Sequence, residues 1–417
     1  MGAYNMGLYA PVKKKGRVTM KKFAKLLAVC LAVMALAGCS LVTVNPEKIT
    51  VATVGGETIT KAQFDEEFNA FLSLYGYTQD SEEIADQLAE LKESFIDQMV
   101  ENLVIDQKVR ELGFDQVTDE EKAAAEQEVD NWYQSQLEAL VAEYEKDESV
   151  ADPEAKAKED VENYLSYYGT SLDDMKAQEI DAIPSGKLYD YVTKDIVVTE
   201  EEAKLTYAEN VASDKEKYDG DLATFVSAFD NGYVIYYVPE GTFYVKHILI
   251  GLTDEQKQEL KDLRADDDEA VAATADAKRD EFLATIQEEA DAALAAVEAG
   301  GDFDALIAEY GDDPGMTYDY YADGYLTYVG NPSFVEEFTA ACDALTEDGM
   351  TTGLVASDFG YHIIRRVATK AAGEVPFEDV KADLMDGMLS SAQSDAYDAQ
   401  LDQWISEANV EIKSNKL

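Results

Sequence analysis

Histidine is almost absent from this chain: His247 and His362 are the only two in 417 residues. No His-x-x-x-His or Cys-x-x-Cys spacing occurs, so no metal centre is expected from the usual ligand patterns. A two-histidine site completed by carboxylates stays open as the competing reading of the pair. The run Asp266-Asp267-Asp268-Glu269 lacks the glycine and glutamate spacing of a calcium loop and reads as a solvated face. Neither a metal nor a cofactor is therefore expected. Basic residues are also scarce, with 34 Lys and Arg against 86 Asp and Glu and a net charge of −52. That balance rules against nucleic acid as a partner, because phosphate binding needs a basic footprint. Long apolar runs are missing too. The run from Leu26 to Ala37 is too short for a permanent membrane span and reads as a signal sequence behind a basic stretch, Lys13 to Lys25.

Cysteine completes the list of absences. Cys30 lies in the apolar run and Cys39 just beyond it. Cys342 falls in a helical run with Phe338, Ala341, Ala344 and Leu345 and reads as a buried small hydrophobe. Leu36-Ala37-Gly38-Cys39 resembles a bacterial lipobox, with Met20 opening a signal of more typical length than Met1. The resemblance implies cleavage before Cys39, lipid on its thiol, and anchoring outside the cytoplasmic membrane, leaning toward a Gram-positive cell surface. With Cys30 lost with the signal and Cys39 consumed by lipid, Cys342 alone remains and no intramolecular disulfide can form. An ordinary secretory signal with a chance cysteine is the alternative. Losing residues 1–38 removes seven basic and no acidic residues, taking the net charge to −59. Such a charge keeps a protein soluble and repels anionic lipid. With 46% hydrophobic residues the chain still has material for cores, and its length predicts two domains or more.

What is present begins as a hairpin. Val51 to Val54 and Glu57 to Ile59 flank Gly55-Gly56, and Thr60-Lys61-Ala62-Gln63 has the form of a capping box. Phe64, Phe68, Phe71, Leu72 and Tyr75 then recur at helical spacing, as do Ile84, Leu88, Leu91, Phe95, Met99 and Leu103. Further helices are predicted after Thr118, after the N-cap pair Asp152-Pro153, and, as a short one, after Thr199. No chemistry-bearing motif occurs in this half, and its apolar stripes read as core. Near the carboxyl end Val380, Leu384, Met388, Tyr397, Leu401 and Trp404 form another helical series, with Val410-Glu411-Ile412 as a closing strand. The hairpin and first helix, with Leu103 to Gln107 and Gly113-Phe114, resemble the helical chaperone domain of SurA- and PrsA-type foldases.

Both histidines sit in strand-like runs, Tyr244 to Ile250 and Phe359 to Ile364. Between them lie Gly300-Gly301-Asp302-Phe303-Asp304-Ala305-Leu306, Tyr310-Gly311-Asp312-Asp313-Pro314-Gly315, Gly324-Tyr325-Leu326 and Phe334-Val335-Glu336-Glu337-Phe338. In that order they resemble a parvulin-type peptidyl-prolyl isomerase domain. A lone strand histidine is ordinarily a satisfied core residue; two, both at motif positions, favour the site. The resemblance implies a multidomain α+β protein. A mainly helical SurA-like body is built from both chain ends, and a parvulin domain of FKBP-like β-α type is inserted in it. Its expected parts are a signal at 1–38, a tether at 39–48, a helical chaperone domain at 49–240, the isomerase at 241–372 and a returning helix and strand at 373–417.

The chemistry explains the residues. Rotating a peptide bond costs about 18–20 kcal/mol, and X-Pro exchange takes about 10–100 s, long enough to stall folding. No bond is made or broken, so an apolar pocket for proline and a setting that favours the twisted amide suffice. By resemblance, Leu326, Phe334 and Phe338 form that pocket, Phe334 and Phe338 through one helical turn. His247, Asp313, His362 and Ser357 form the polar part of the site. The expected partners are unfolded exported proteins through their X-Pro segments. Two departures stand out. Gly324-Tyr325-Leu326-Thr327 replaces the family's Gly-Asp-Leu-Gly, which puts catalysis in question and keeps a non-catalytic holdase as the alternative. A helical insertion at 253–299, with Leu283, Ile286, Ala290, Leu294 and Val297 on one stripe, reads as lid, client surface or elaboration. A solute-binding lipoprotein is disfavoured, since residues 60–200 show no strand–helix alternation.

Overall fold

A computed structural model describes residues 49–145, 150–265 and 269–417. The signal, Cys39, the tether and Asp266 to Asp268 lie outside the described residues. The chain divides into two compact units, one running to Val197 and joined by Leu389–Leu417, the other Val198–Met388.

In the first unit, β1 (Thr50–Val54) and β2 (Glu57–Thr60) form the expected hairpin, with Val54 opposite Glu57. Gly55 and Gly56 turn it at φ of +56° and +92°, where a Cβ is strained. Thr60 caps α1 (Lys61–Leu74): its hydroxyl accepts from the Gln63 amide, while the Gln63 side chain accepts from the Thr60 amide. Phe64, Phe68 and Leu72 are buried against α2 (Leu88–Leu112), which contributes Ile96, Met99, Val100 and Val104. Each fully buried large apolar side chain contributes about 1.5–3 kcal/mol. The second stripe starts later than its spacing suggests, because Ile84 lies in a separate 3-10 turn, Glu82–Ile84. A capping box at Thr118 opens α3 (Asp119–Tyr144), and Asp152 caps α4 (Pro153–Tyr167). With α5 (Leu172–Thr193) these bury a smaller cluster of Val129, Leu140, Val161, Leu165 and Met175.

The second unit opens with α6 (Glu200–Tyr218), longer than expected at 19 residues, and α7 (Leu222–Asp230). Next come β3 (Tyr237–Val238), β4 (Thr242–Gly251), α8 (Asp254–Arg264), α9 (Ala275–Glu298) and α10 (Phe303–Tyr310). A single helical turn, Glu269–Ala272, separates α8 from α9. Then follow β5 (Tyr325–Tyr328), α11 (Glu336–Ala344), β6 (Val355–Ser357), β7 (Gly360–Thr369) and β8 (Gly373–Glu374). Four strands form an antiparallel sheet in the order β5-β4-β7-β6, with β4 and β7 central. Gly360 starts β7 at φ +139°, and a Cβ there would lie 2.0 Å from the Ile250 carbonyl oxygen, so no other residue fits.

The two faces of this sheet are covered differently. Ile248, Ile250 and Ile363 pack against Ala290, Ala293 and Val297 of α9 and Phe303, Leu306 and Ile307 of α10. Helix α9 is thus part of the core on that face. Phe243, Val245 and Ile364 lie on the other face, with Phe338 and Cys342 of α11 and Leu345. One helix, α12 (Phe377–Glu407), leaves this unit and returns to the first. There Leu401, Trp404 and Ile405 pack on the core, and β9 (Glu411–Ile412) pairs with β1, Ala52 opposite Ile412. The helical body is therefore closed by residues from both ends of the chain.

Candidate active site

Strand register brings the two histidines together. His247 on β4 stands opposite Ile364 and His362 on β7 opposite Leu249, which makes the imidazoles diagonal neighbours on one face. Their rings stack at 5.3 Å, and the two Nδ1 atoms lie 3.2 Å apart. From this pair a row of hydrogen bonds runs both ways. His247 Nε2 lies 2.6 Å from Asp313 Oδ2, and His362 Nε2 lies 2.8 Å from Ser357 Oγ. Ser357 Oγ in turn accepts from the Phe359 amide at 3.0 Å.

Asp313 precedes a 3-10 turn, Pro314–Thr317, and caps it by accepting from the Gly315 amide at 2.9 Å. A third donor, the Tyr325 hydroxyl, reaches Asp313 Oδ2 at 2.8 Å. Burial works against charge on Asp313, but hydrogen bonds from His247, Tyr325 and Gly315 outweigh it and hold the carboxyl down at about 2. Burial, reinforced by His247, presses His362 down to about 3 against the pull of Asp313, so His362 is neutral. Burial first, and the bond to Asp313 second, raise the Tyr325 hydroxyl, which stays a donor.

These states limit the protons. An ionised Asp313 only accepts, so His247 Nε2 carries hydrogen. Two arrangements then satisfy the row. In one, His362 Nδ1–H donates to His247 and the Ser357 hydroxyl donates to His362 Nε2. In the other, His247 carries both protons, His362 Nε2–H donates to Ser357, and the Ser357 hydroxyl turns to the Gly360 carbonyl oxygen at 3.5 Å.

An aromatic shell surrounds the pair. Phe338 sits edge-on to both imidazoles, at 5.1 Å from His247 and 5.3 Å from His362. Phe334 packs on Phe338 at 5.0 Å and on Tyr325 at 5.9 Å. Phe334 precedes α11, so the rings meet through the entry to the helix and not through a helical turn. Asp313 is the more accessible member, its side chain 21% exposed against 5% for His247. Neither Ser357 nor Cys342 is poised as a nucleophile. Ser357 is fully buried, and burial together with Asp343 pushes the Cys342 thiol up to about 12. A half-open apolar shell around fixed donors suits a reaction that twists a bond without breaking one.

The structure thus gathers His247, Asp313, His362, Ser357, Phe334 and Phe338 in one place, and leaves out Leu326. Leu326 stands opposite Tyr244 on β5 and packs on the other face of the sheet with Tyr218, Phe225 and Val238. Strand alternation is the reason: its neighbour Tyr325, opposite Val245, takes the site face. Tyr325 was missed as a site residue, although its departure from the family run marked the position. The lost second glycine leaves β5 intact. Thr327 pairs with Phe243, and its hydroxyl accepts from Asn331 at 3.1 Å.

Residues 247–368 match the PPIC-type PPIase domain model, and residues 15–140 match the SurA-like N-terminal domain model. The chain joins a SurA-like N-terminal domain to a PPIC-type peptidyl-prolyl isomerase domain. Among curated proteins, the foldase protein PrsA of Clostridium tetani is 25% identical over 403 residues, covering 94% of this chain and 96% of that protein. PrsA of Clostridium acetobutylicum is likewise 25% identical over 407 residues, covering 95% and 98%. Among solved structures, a SurA-like chaperone of Campylobacter jejuni covers 88% of this chain and all of its own, at 19% identity and a TM-score of 0.27. PrsA of Bacillus subtilis covers 88% and 95%, at 17% identity and a TM-score of 0.22. Within the isomerase domain, the histidine pair, Asp313 and the aromatic shell all fall in the matched segment.

Proposed function

We propose that this chain is a foldase: its isomerase domain accelerates cis-trans exchange at X-Pro bonds, and its SurA-like body holds unfolded segments of exported proteins. The observation that carries it is the half-open shell of Phe334, Phe338 and Tyr325 around the Asp313–His247–His362–Ser357 row. Phe334 and Phe338 receive the proline ring. His247 and Asp313 flank the rotating amide, and His362 and Ser357 hold His247 from behind. The limits proposed for the isomerase are 241–372, with 253–299 as its insertion. Lipid on Cys39 anchors the chain to the outer face of the cytoplasmic membrane, as in Gram-positive bacteria. Among the described residues no helix is long and apolar enough to cross a membrane.

The alternative is a holdase without catalysis, kept by the Tyr325 and Thr327 departures. Refolding of a client whose slow phase is set by an X-Pro bond separates the two. The full chain is expected to speed that phase, and Phe334→Ala to remove the acceleration while leaving suppression of aggregation. Suppression alone in the wild type would establish the holdase.

A further inference from the structure

Tyr325 occupies the position where this chain departs from the family run, and its surroundings are built to fit it. Its strand pairs Tyr325 with Val245, two residues from His247 on the same face. Tyr321 and Phe334 hold its ring at 4.7 and 5.9 Å. Beneath the hydroxyl lies Gly315. A Cβ built there would fall 1.9 Å from the Tyr325 hydroxyl oxygen and 3.1 Å from the ring carbon that bears it. Gly315 is not among the residues at positive φ, so space is what its lack of a side chain provides. The same Gly315 gives its amide to Asp313 Oδ1, while the hydroxyl it accommodates goes to Asp313 Oδ2.

We propose that Tyr325 is a positioning residue of this site: its hydroxyl, seated in the space that Gly315 leaves, fixes the Asp313 carboxylate against His247. This deepens the isomerase reading and rests on it. Asp313 lies on a loop, and a carboxylate on a loop keeps one orientation only if rigid neighbours hold it. Strand β5 supplies a rigid donor and the 3-10 turn supplies a second. His247 therefore meets a carboxylate already held by two bonds from elsewhere, one on each oxygen. Tyr325 acts through Asp313, and its ring also narrows the aromatic shell beside Phe334.

The test uses the full chain with Tyr325→Phe, Gly315→Ala and the double variant. Tyr325→Phe deletes only the hydroxyl. Losing a hydrogen bond to a charged group is expected to lower kcat/KM for a proline peptide by about tenfold. The acid limb of the pH profile should move toward neutrality, because Asp313 loses a donor that favours its charged form. Two histidines give only two imidazoles in a nitrogen-15 spectrum. The His247 Nε2 resonance should shift in Tyr325→Phe. Gly315→Ala should be as harmful in the wild type and much less so beside Tyr325→Phe, since the two substitutions meet at one atom. A folded Tyr325→Phe chain with unmoved acid limb and unmoved His247 resonance would overturn the proposal, as would strict additivity. If the wild type proves inactive, the isomerase reading fails by itself. The imidazole spectra and the coupling in thermal unfolding then still decide whether Tyr325 positions Asp313.

Discussion

Two aromatic clusters in this protein are built alike and enclose different groups. In the first unit Phe64, Phe68 and Phe71 surround Phe95 with ring centroids 5.8, 5.2 and 5.4 Å away. In the second, Phe338 meets His247, His362 and Phe334 at 5.1, 5.3 and 5.0 Å. Distances and tilts overlap, so ring packing does not distinguish a core from a site. What differs is the content: the first cluster is phenylalanine throughout, while the second encloses two imidazoles tied to a carboxylate. Aromatic rings make a functional shell only where they surround ionisable groups that must be kept in place.

The strongest way to break this comparison is to empty both clusters. Phe68→Ala and Phe338→Ala each remove a buried ring, and each is expected to cost about 3–5 kcal/mol in denaturant unfolding. Only Phe338→Ala should also abolish proline isomerisation at temperatures where both variants stay folded. Equal loss of activity in the two would show that the second cluster has no special role.

A smaller effect is expected from the hydroxyls. Ser357→Ala leaves His362 Nε2 and the Phe359 amide without their partner, for about 1–3 kcal/mol. Thr60→Ala removes a capping box in the first unit, for about 0.5–2 kcal/mol. The first should slow catalysis by loosening the ring behind His247, and the second should leave the rate alone.

A further effect comes from pH, and its sign differs between the units. His362 is held at about 3 in the folded protein, below the ordinary histidine value near 6.5. The unfolded chain therefore takes up its proton first, so this stabilisation is complete above about 6.5 and is lost as pH falls toward 3. Burial, with repulsion from Glu66, raises Glu67 in the first unit to about 7. Its contribution is full below the ordinary glutamate range and is lost as pH rises through about 7. Glu67→Gln should accordingly stabilise the first unit by about 1–2 kcal/mol at pH 8, after allowing for solvent screening, and by nothing at pH 4. His362→Gln should flatten the acid loss of the second unit instead. Unfolding curves at a series of pH values check both.

Much of this was legible from the residues. The hairpin glycines, the capping box at Thr60, the helix start after Thr118 and the Asp152-Pro153 start are local signals, and local signals need no knowledge of the fold. The return of the last helix and strand to the first unit was legible through family resemblance, because Val410 to Ile412 alone is too short to speak for itself; its pairing with β1 was not. His247 and His362 stood out by rarity. Leu326 failed for a reason peculiar to strands: a one-residue difference in facing reverses which side chain meets the site, and spacing alone did not reveal which face β5 presents. The same ambiguity hid Tyr325. Insertion 253–299 announced an amphipathic helix, but only packing could assign α9 to the face away from the histidines.

The central claim is that the aromatic shell and the histidine–aspartate row together isomerise X-Pro bonds. Its most direct test is the cis-to-trans exchange rate of a proline tetrapeptide with the full chain, alongside folded His247→Ala and Phe334→Ala. The account predicts acceleration by the wild type that falls in both variants. A folded wild type that leaves the exchange rate unchanged, or variants as fast as the wild type, would contradict it.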